Sequence, residues 1–184
     1  MYNLISNGLA NFNGVGTCYE YGITEGELTE KMETKPIMPY PQGKLELFHF
    51  IQNLTQEFTF SFKWIRVFYV FGEIYGRKNL YTLLNQAIEN KEEIFNMSGG
   101  EQIRDFLAPQ AIAENIVHIS LQQSTQGVIN CCSGLPVQLK AFVLAFLKTK
   151  NSNLKLNLGF YPYPDYEPMS TWGSVDKLNL CKLK

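Results

Sequence analysis

FKWIRVFYVFG, residues 62–72, is a nearly unbroken run of aromatic and β-branched side chains closed by Gly72. Such a run has no polar face to offer water, so it predicts a strand buried on both sides, as parallel sheets covered by helices require. Upstream, Leu45, Phe48, Ile51 and Leu54 recur at helical spacing across residues 40–57, with Pro41 tolerated in the first turn. Downstream, GVINCC (127–132) repeats the buried-strand signature. Strand and helix signals alternate across short connections, which predicts an α/β fold rather than a sandwich or bundle.

Outside this frame, residues 2–11 suit a short helix, and FNGVGTCY (12–19) a strand running into a loop. The stretch 20–39 is polar, Pro-containing and turn-rich. Helices are predicted over 79–90, 110–122 and 136–150, and short strands over 93–97, 103–107 and 155–160. From residue 161 the chain is rich in Pro and Tyr and predicts irregular surface structure. Internal repeats and low-complexity tracts are absent from the sequence.

The 184 residues carry 16 basic and 17 acidic side chains, a formal charge of −1. That length predicts one domain, or one with a small lobe. The balance gives neither nucleic acid nor an anionic membrane an electrostatic handle. No apolar run approaches the roughly 18 residues of a membrane span, and MYNLISNGLANF lacks the plan of a signal peptide. Of the four cysteines, Cys131 and Cys132 are adjacent and Cys18 and Cys181 isolated, so no disulfide framework or metal knuckle can be drawn. These features describe a soluble, unprocessed, cytoplasmic protein.

Tyr40 and Lys44 form a Tyr-x-x-x-Lys pair at the start of the 40–57 helix, and i to i+4 spacing puts phenol and ammonium on one face. An ammonium beside a phenol favours the phenolate and suits it to general acid–base work. With 10 tyrosines in 184 residues, roughly one such pair is expected by chance, so context must carry the argument. Thr17 ends an apolar strand in V-G-T-C-Y-E-Y-G, where a parallel sheet presents residues to a ligand. W-I-R-V-F-Y-V-F-G, G-E-Q-I-R-D-F-L and G-V-I-N-C-C-S-G then follow in order.

That order and spacing resembles the extended short-chain dehydrogenase/reductases, the NAD-dependent epimerase/dehydratase family that works on nucleotide sugars, over about residues 1–178. The resemblance implies roles for named residues. Tyr40 matches the catalytic tyrosine, Lys44 the lysine that binds the nicotinamide ribose, and Thr17 the Ser/Thr that hydrogen-bonds the sugar oxygen. Val67 falls at a cofactor-binding position, and Tyr69 at a substrate-binding one. Arg104 matches the arginine that clamps the nucleotide diphosphate. The cofactor implied is NAD or NADP, and the reaction moves a proton at a sugar hydroxyl while the nicotinamide exchanges hydride with the same carbon. G-T-C-Y-E-Y-G and Y-P-Y-P-D-Y-E-P-M-S-T-W-G look like a branch of epimerases and 4-ketoreductases from surface-polysaccharide pathways.

The sequence also departs from that pattern. Tyr69-Val70 stands where better-known 4-epimerases have Asn-Pro, and Ala108-Pro-Gln-Ala111 replaces a segment that usually carries an acid, so the following helix is expected to be anchored differently. No G-x-x-G-x-x-G turn is present; Gly14-Val15-Gly16 belongs to the later strand. By analogy, roughly 100 residues bearing the first mononucleotide-binding half are missing.

The expected architecture is therefore the last strands of a partial Rossmann-like parallel sheet with a small C-terminal substrate-binding lobe. Residues 1–72 would belong to the cofactor domain and 73–184 mainly to the substrate lobe, with strand 127–132 returning to the main sheet. The strand near 12–17 would be an unpaired edge, calling for a homo-oligomer or a complementing chain. The first functional reading is a nucleotide-sugar epimerase, dehydratase or ketoreductase, truncated and incomplete on its own. The second is a non-catalytic nucleotide-sugar-binding or interaction module, or half of a split enzyme.

Other residues invite plainer readings. His49 and His118 lack partners in ligand spacing, and Cys131 and Cys132 read as small buried hydrophobes. Trp64, Phe68, Tyr69 and Phe71 read as core, and Glu92 and Glu93 as solvated charge.

Overall fold

The computed structural model describes residues 1–74, 76 and 78–182. Helix α1 (Tyr2–Ser6) precedes strand β1 (Asn11–Thr17), a 3-10 turn (Cys18–Tyr21), strand β2 (Gly26–Leu28) and helix α2 (Pro39–Glu57). Strands β3 (Ser61–Val67) and β4 (Tyr69–Val70), helix α3 (Leu80–Glu89) and strands β5 (Ile94–Asn96), β6 (Ile103–Arg104) and β7 (Phe106–Leu107) follow. Helix α4 (Pro109–Leu121), strands β8 (Gly127–Cys131) and β9 (Val137–Gln138), helix α5 (Leu139–Thr149), strands β10 (Lys155–Asn157) and β11 (Thr171–Gly173) and helix α6 (Asp176–Cys181) complete the chain.

The main sheet is parallel, in the order β1-β3-β8. Residues 62 and 64 of β3 turn to one face, where Phe62 and Trp64 meet Phe48 and Ile51 of α2. Ile65 turns to the other, where it packs with Ile129 and Cys131 of β8, Ile112 and Ile119 of α4, and Leu178 and Cys181 of α6. Helices on both faces explain why the 62–72 run carries no solvent face. Lys63 is buried, and its Nζ donates to the carbonyls of Ser120 (3.3 Å) and Gln122 (2.5 Å) at the end of α4. It thereby satisfies helix-end acceptors that lack an intrahelical partner.

The run does not form one strand, however. Val67 is level with Thr17 on one side and Cys131 on the other, and both neighbouring strands end there. Phe68 still donates its N–H to Cys131 O (3.1 Å), after which Tyr69 and Val70 leave to pair with Phe106 and Leu107 of β7. The backbone changes partner once the ladder runs out.

Beyond this point α3, α5, β5 and β10 enclose a second cluster built on Leu84, Met97, Val143, Leu147 and Leu154. The tail also differs from the irregular structure expected of it. Residues 171–173 pair in parallel with β2, inside the supposedly turn-rich 20–39 stretch, and α6 covers β8. Three-residue strands leave no alternation to read. On the side away from β3, no strand pairs with β1 among the described residues.

Candidate functional site

Thr17 closes β1 and caps the 3-10 turn behind it. Its Oγ1 accepts the N–H of Tyr19 (3.3 Å), while its own N–H donates to Glu20 Oε1 (2.9 Å), a reciprocal capping box. Glu20 is wholly buried and also accepts from Trp64 Nε1 and from Arg66 Nε (2.8 Å). The Arg66 guanidinium lies 4.5 Å from the Tyr21 ring centroid, and Tyr21 donates its hydroxyl to Asn130 Oδ1 (2.7 Å) on β8. The strand end is thus tied to β3 and, across it, to β8. Gly16 leaves room for it, since a Cβ there would stand 2.3 Å from both Glu20 Oε1 and Trp64 Nε1.

Helix α2 begins over the same strand, with Pro39 and Pro41 in a first turn where a missing N–H is harmless. Tyr40 is 58% exposed. One turn on, the Lys44 ammonium stands 6.0 Å from the Tyr40 ring centroid and donates to Val15 O (3.0 Å). The structure thus brings Tyr40 and Lys44 together and fastens Lys44 two residues from Thr17. The capping bond uses a lone pair of Thr17 and leaves its hydroxyl proton available to donate. Val67 lies level with Thr17 at the same carboxyl end, half-buried against the core under α4.

Tyr69 and Arg104 meet in a second, adjoining cluster. The Arg104 guanidinium lies 5.0 Å from the Tyr69 ring centroid, and Tyr69 packs edge-on against Tyr19 (5.6 Å). Arg104 Nη1 donates to Ile103 O (2.9 Å) and Met169 O (3.4 Å), while Nη2 donates to Glu167 Oε2 (2.8 Å). The other carboxylate oxygen of Glu167 accepts the Tyr19 hydroxyl (2.9 Å). Burial, with smaller contributions from Tyr69 and Glu167, holds the Tyr19 phenol far above its ordinary range; burial and then Cys18 do the same for Tyr69. Both rings stay protonated donors. The Cys18 thiol beside them is pushed up to about 12, mainly by burial and next by Glu167.

Three carboxylates organise this end of the sheet without having been singled out. Glu20 was within reach, because Thr17-x-x-Glu20 is a capping-box spacing. Asp105 and Glu167 left no local signal. Asp105 is fully buried and accepts from Ser133 N (2.7 Å) and Oγ (2.6 Å), Gly134 N (2.9 Å) and Gly173 N (3.2 Å). It joins the turn after β8 to β11. The unusual start of α4 is also explained: Ala108 caps it with no side-chain hydrogen bond.

An exposed phenol and an ammonium thus stand side by side near the carboxyl end of a parallel sheet, where open α/β sheets take their ligands. The glycine turn for a pyrophosphate is not in this sequence. Among the described residues no group of three His, Cys, Asp or Glu could hold a metal ion, and no helix is long and apolar enough to cross a membrane.

The fold is shared with solved proteins. The solved UDP-N-acetylglucosamine 4-epimerase of Methanobrevibacter ruminantium, in complex with UDP-N-acetylmuramic acid, superposes with a TM-score of 0.87 at 19% identity, over 100% of this chain and 60% of its own. The UDP-glucuronic acid 4-epimerase of Bacillus cereus, in complex with NAD, does so at 0.81 with 22% identity, over 97% and 56%. In sequence, the dTDP-6-deoxy-L-talose 4-dehydrogenase (NAD(+)) of Aggregatibacter actinomycetemcomitans is 25% identical over 172 residues, 91% of this chain and 62% of that protein. The chain therefore spans about three fifths of the length of these relatives. The model of the NAD-dependent epimerase/dehydratase family matches residues 4–132, well over half of the sequence. With the parallel β1-β3-β8 sheet and the Tyr40–Lys44 pair at its carboxyl end, that match makes the chain a member of the NAD-dependent epimerase/dehydratase family.

Proposed function

We propose that this chain carries the proton-transfer and diphosphate-binding half of an NAD(P)-dependent enzyme acting on a nucleotide-linked sugar. The observation that carries the reading is Lys44, which stands beside Tyr40 and is fastened to Val15 O at the end of β1. In this reading Tyr40 moves the proton at a sugar hydroxyl oxygen, Lys44 holds the ribose hydroxyls and favours the phenolate, and Thr17 orients the sugar oxygen. A bound nicotinamide supplies the hydride exchange at the sugar carbon. Val67 lies along the cofactor side of the site, and Tyr69 and Arg104 take the substrate's diphosphate end. Residues 1–72 form the cofactor part and 73–184 mainly the substrate lobe, with β8 returned to the main sheet. The chain works with a partner along β1, either a second copy or a polypeptide supplying the first half of the sheet.

Fluorescence titration of the full chain with NADH and NADPH, beside a Tyr40→Phe, Lys44→Ala variant, tests the cofactor part. Saturable binding that the variant loses supports a cofactor site completed within this chain, and no binding by either protein places its completion on a partner chain. Equal binding by both proteins overturns the assignment of Tyr40 and Lys44. A second reading, a nucleotide-sugar-binding module without turnover, is favoured by the Arg104 cluster, which makes no use of Tyr40. Nucleotide-sugar binding without NAD(P)H affinity, lost in Arg104→Ala, selects that reading.

A further inference from the structure

Glu167 lies in the segment 158–170, which forms no helix or strand; it is held by β10 and β11, by the Phe160 N–H on Met97 O, by the Tyr163 hydroxyl on Glu101 and by the Ile103 N–H on Met169 O. Its carboxylate takes two donors, Arg104 Nη2 and the Tyr19 hydroxyl. Those donors, one cationic and one a phenol kept protonated by burial, compose an anion-binding pair. The contact is monodentate on the arginine, the geometry that a bidentate oxyanion surpasses. The Arg104 side chain is only 5% exposed while Glu167 is 21% exposed, so the carboxylate lies on the solvent side of the guanidinium. The surrounding segment presents Tyr161, Tyr163 and Tyr166 to water rather than to the core. Its middle therefore has little buried area to lose by moving.

We propose that Glu167 is a built-in competitor, a carboxylate that occupies Arg104 and Tyr19 until a diphosphate group displaces it and takes the same two donors. The proposal rests on the reading of Arg104 as the diphosphate contact. Displacement frees the few residues around Glu167 to re-seat over the bound group, so that anion binding and their position become one equilibrium. The occupied carboxylate also raises the bar for weak monoanions, because an entering ligand must offer the guanidinium more than Glu167 does. Tyr19 follows Thr17 by two residues and donates its backbone N–H to that hydroxyl. A ligand on the Tyr19 phenol is thereby aligned with the candidate sugar-binding end of β1.

Calorimetric titration of the full chain with UDP, dTDP and inorganic pyrophosphate, comparing wild type, Glu167→Gln and Arg104→Ala, tests it. Glu167→Gln should bind at least one of these probes tenfold or more tightly, and Arg104→Ala should lose binding. A gain in affinity is not a consequence that unfolding can imitate. Should Glu167→Gln not fold, Glu167→Asp, which withdraws the carboxylate by one methylene, should give the same direction of change. Unchanged or weaker binding on removing the carboxylate, with Arg104→Ala still inactive, overturns the competitor alone. Wild-type affinity in Arg104→Ala, or no binding by any of the proteins, overturns the diphosphate reading and the competitor with it.

Discussion

Single residues at the end of β1 show how far burial sets chemistry. All four cysteines are buried and free. Desolvation first, then neighbouring carboxylates, push Cys18 up to about 12; desolvation pushes Cys131 up to about 11. In the unfolded chain these thiols ionise near their ordinary value of 9.0. The folded pKa is thus the higher one, and the stability at stake is whole below pH 9 and lost as pH climbs towards the folded values. A thiol reagent at pH 8 should therefore label none of the four until urea unfolds the chain, and urea midpoints should fall steadily above pH 9. Rapid labelling of Cys18 in the native protein would contradict the burial. The cysteines were legible as small hydrophobes from their apolar neighbours, whereas Asp105 and Glu167 were not. Their partners lie 28 and 63 residues away in sequence, and such distances carry no periodic signal.

Elements whose period is set by burial were read almost to the residue. Leu45, Phe48, Ile51 and Leu54 define α2, and the helix expected over 79–90 is α3, capped by Asn79. Boundaries set by partner exchange were missed: the 62–72 run breaks at Phe68 because β1 and β8 both end level with Val67. The 136–150 helix likewise begins only after Val137 and Gln138 have paired with β6. Strand β1 itself depends on closeness rather than on propensity. Gly16→Ala would drive a methyl into Glu20 and Trp64 and split the buried Arg66–Glu20 pair, whose side chains are 3% and 0% exposed. Breaking a buried pair costs about 3–5 kcal/mol, so thermal unfolding should drop by roughly 10 °C in a chain of this size. A drop of only a degree or two would show that the strand end gives way without strain.

At the scale of the molecule the question is the open side of β1. Val15 of β1 is 42% exposed, as are Leu47 (43%) and Phe50 (46%) of α2, the helix packed on β1. Unpaired strand groups beside apolar side chains template pairing with another chain. Gel filtration should show a species larger than the 21.1 kDa monomer, with dye binding to exposed apolar surface rising on dilution; a clean monomer that binds no dye would count against any partner at this edge. The parallel sheet was legible because its strands are continuous apolar runs and the crossover helix between β1 and β3 follows directly in sequence. The closing pair of β2 with β11 was not. That pair joins residues 26–28 to residues 171–173, and it governs the order of events during synthesis. A ribosome delivers the chain from its amino end, so β2 must wait, without its strand partner, until residues 171–173 have been made. The Thr17 turn, only nine residues earlier than Gly26 and tied to β3 and β8, can set long before. Folding of this chain is thus a matter of timing, with residues 26–28 left without their strand partner until residues 171–173 have emerged.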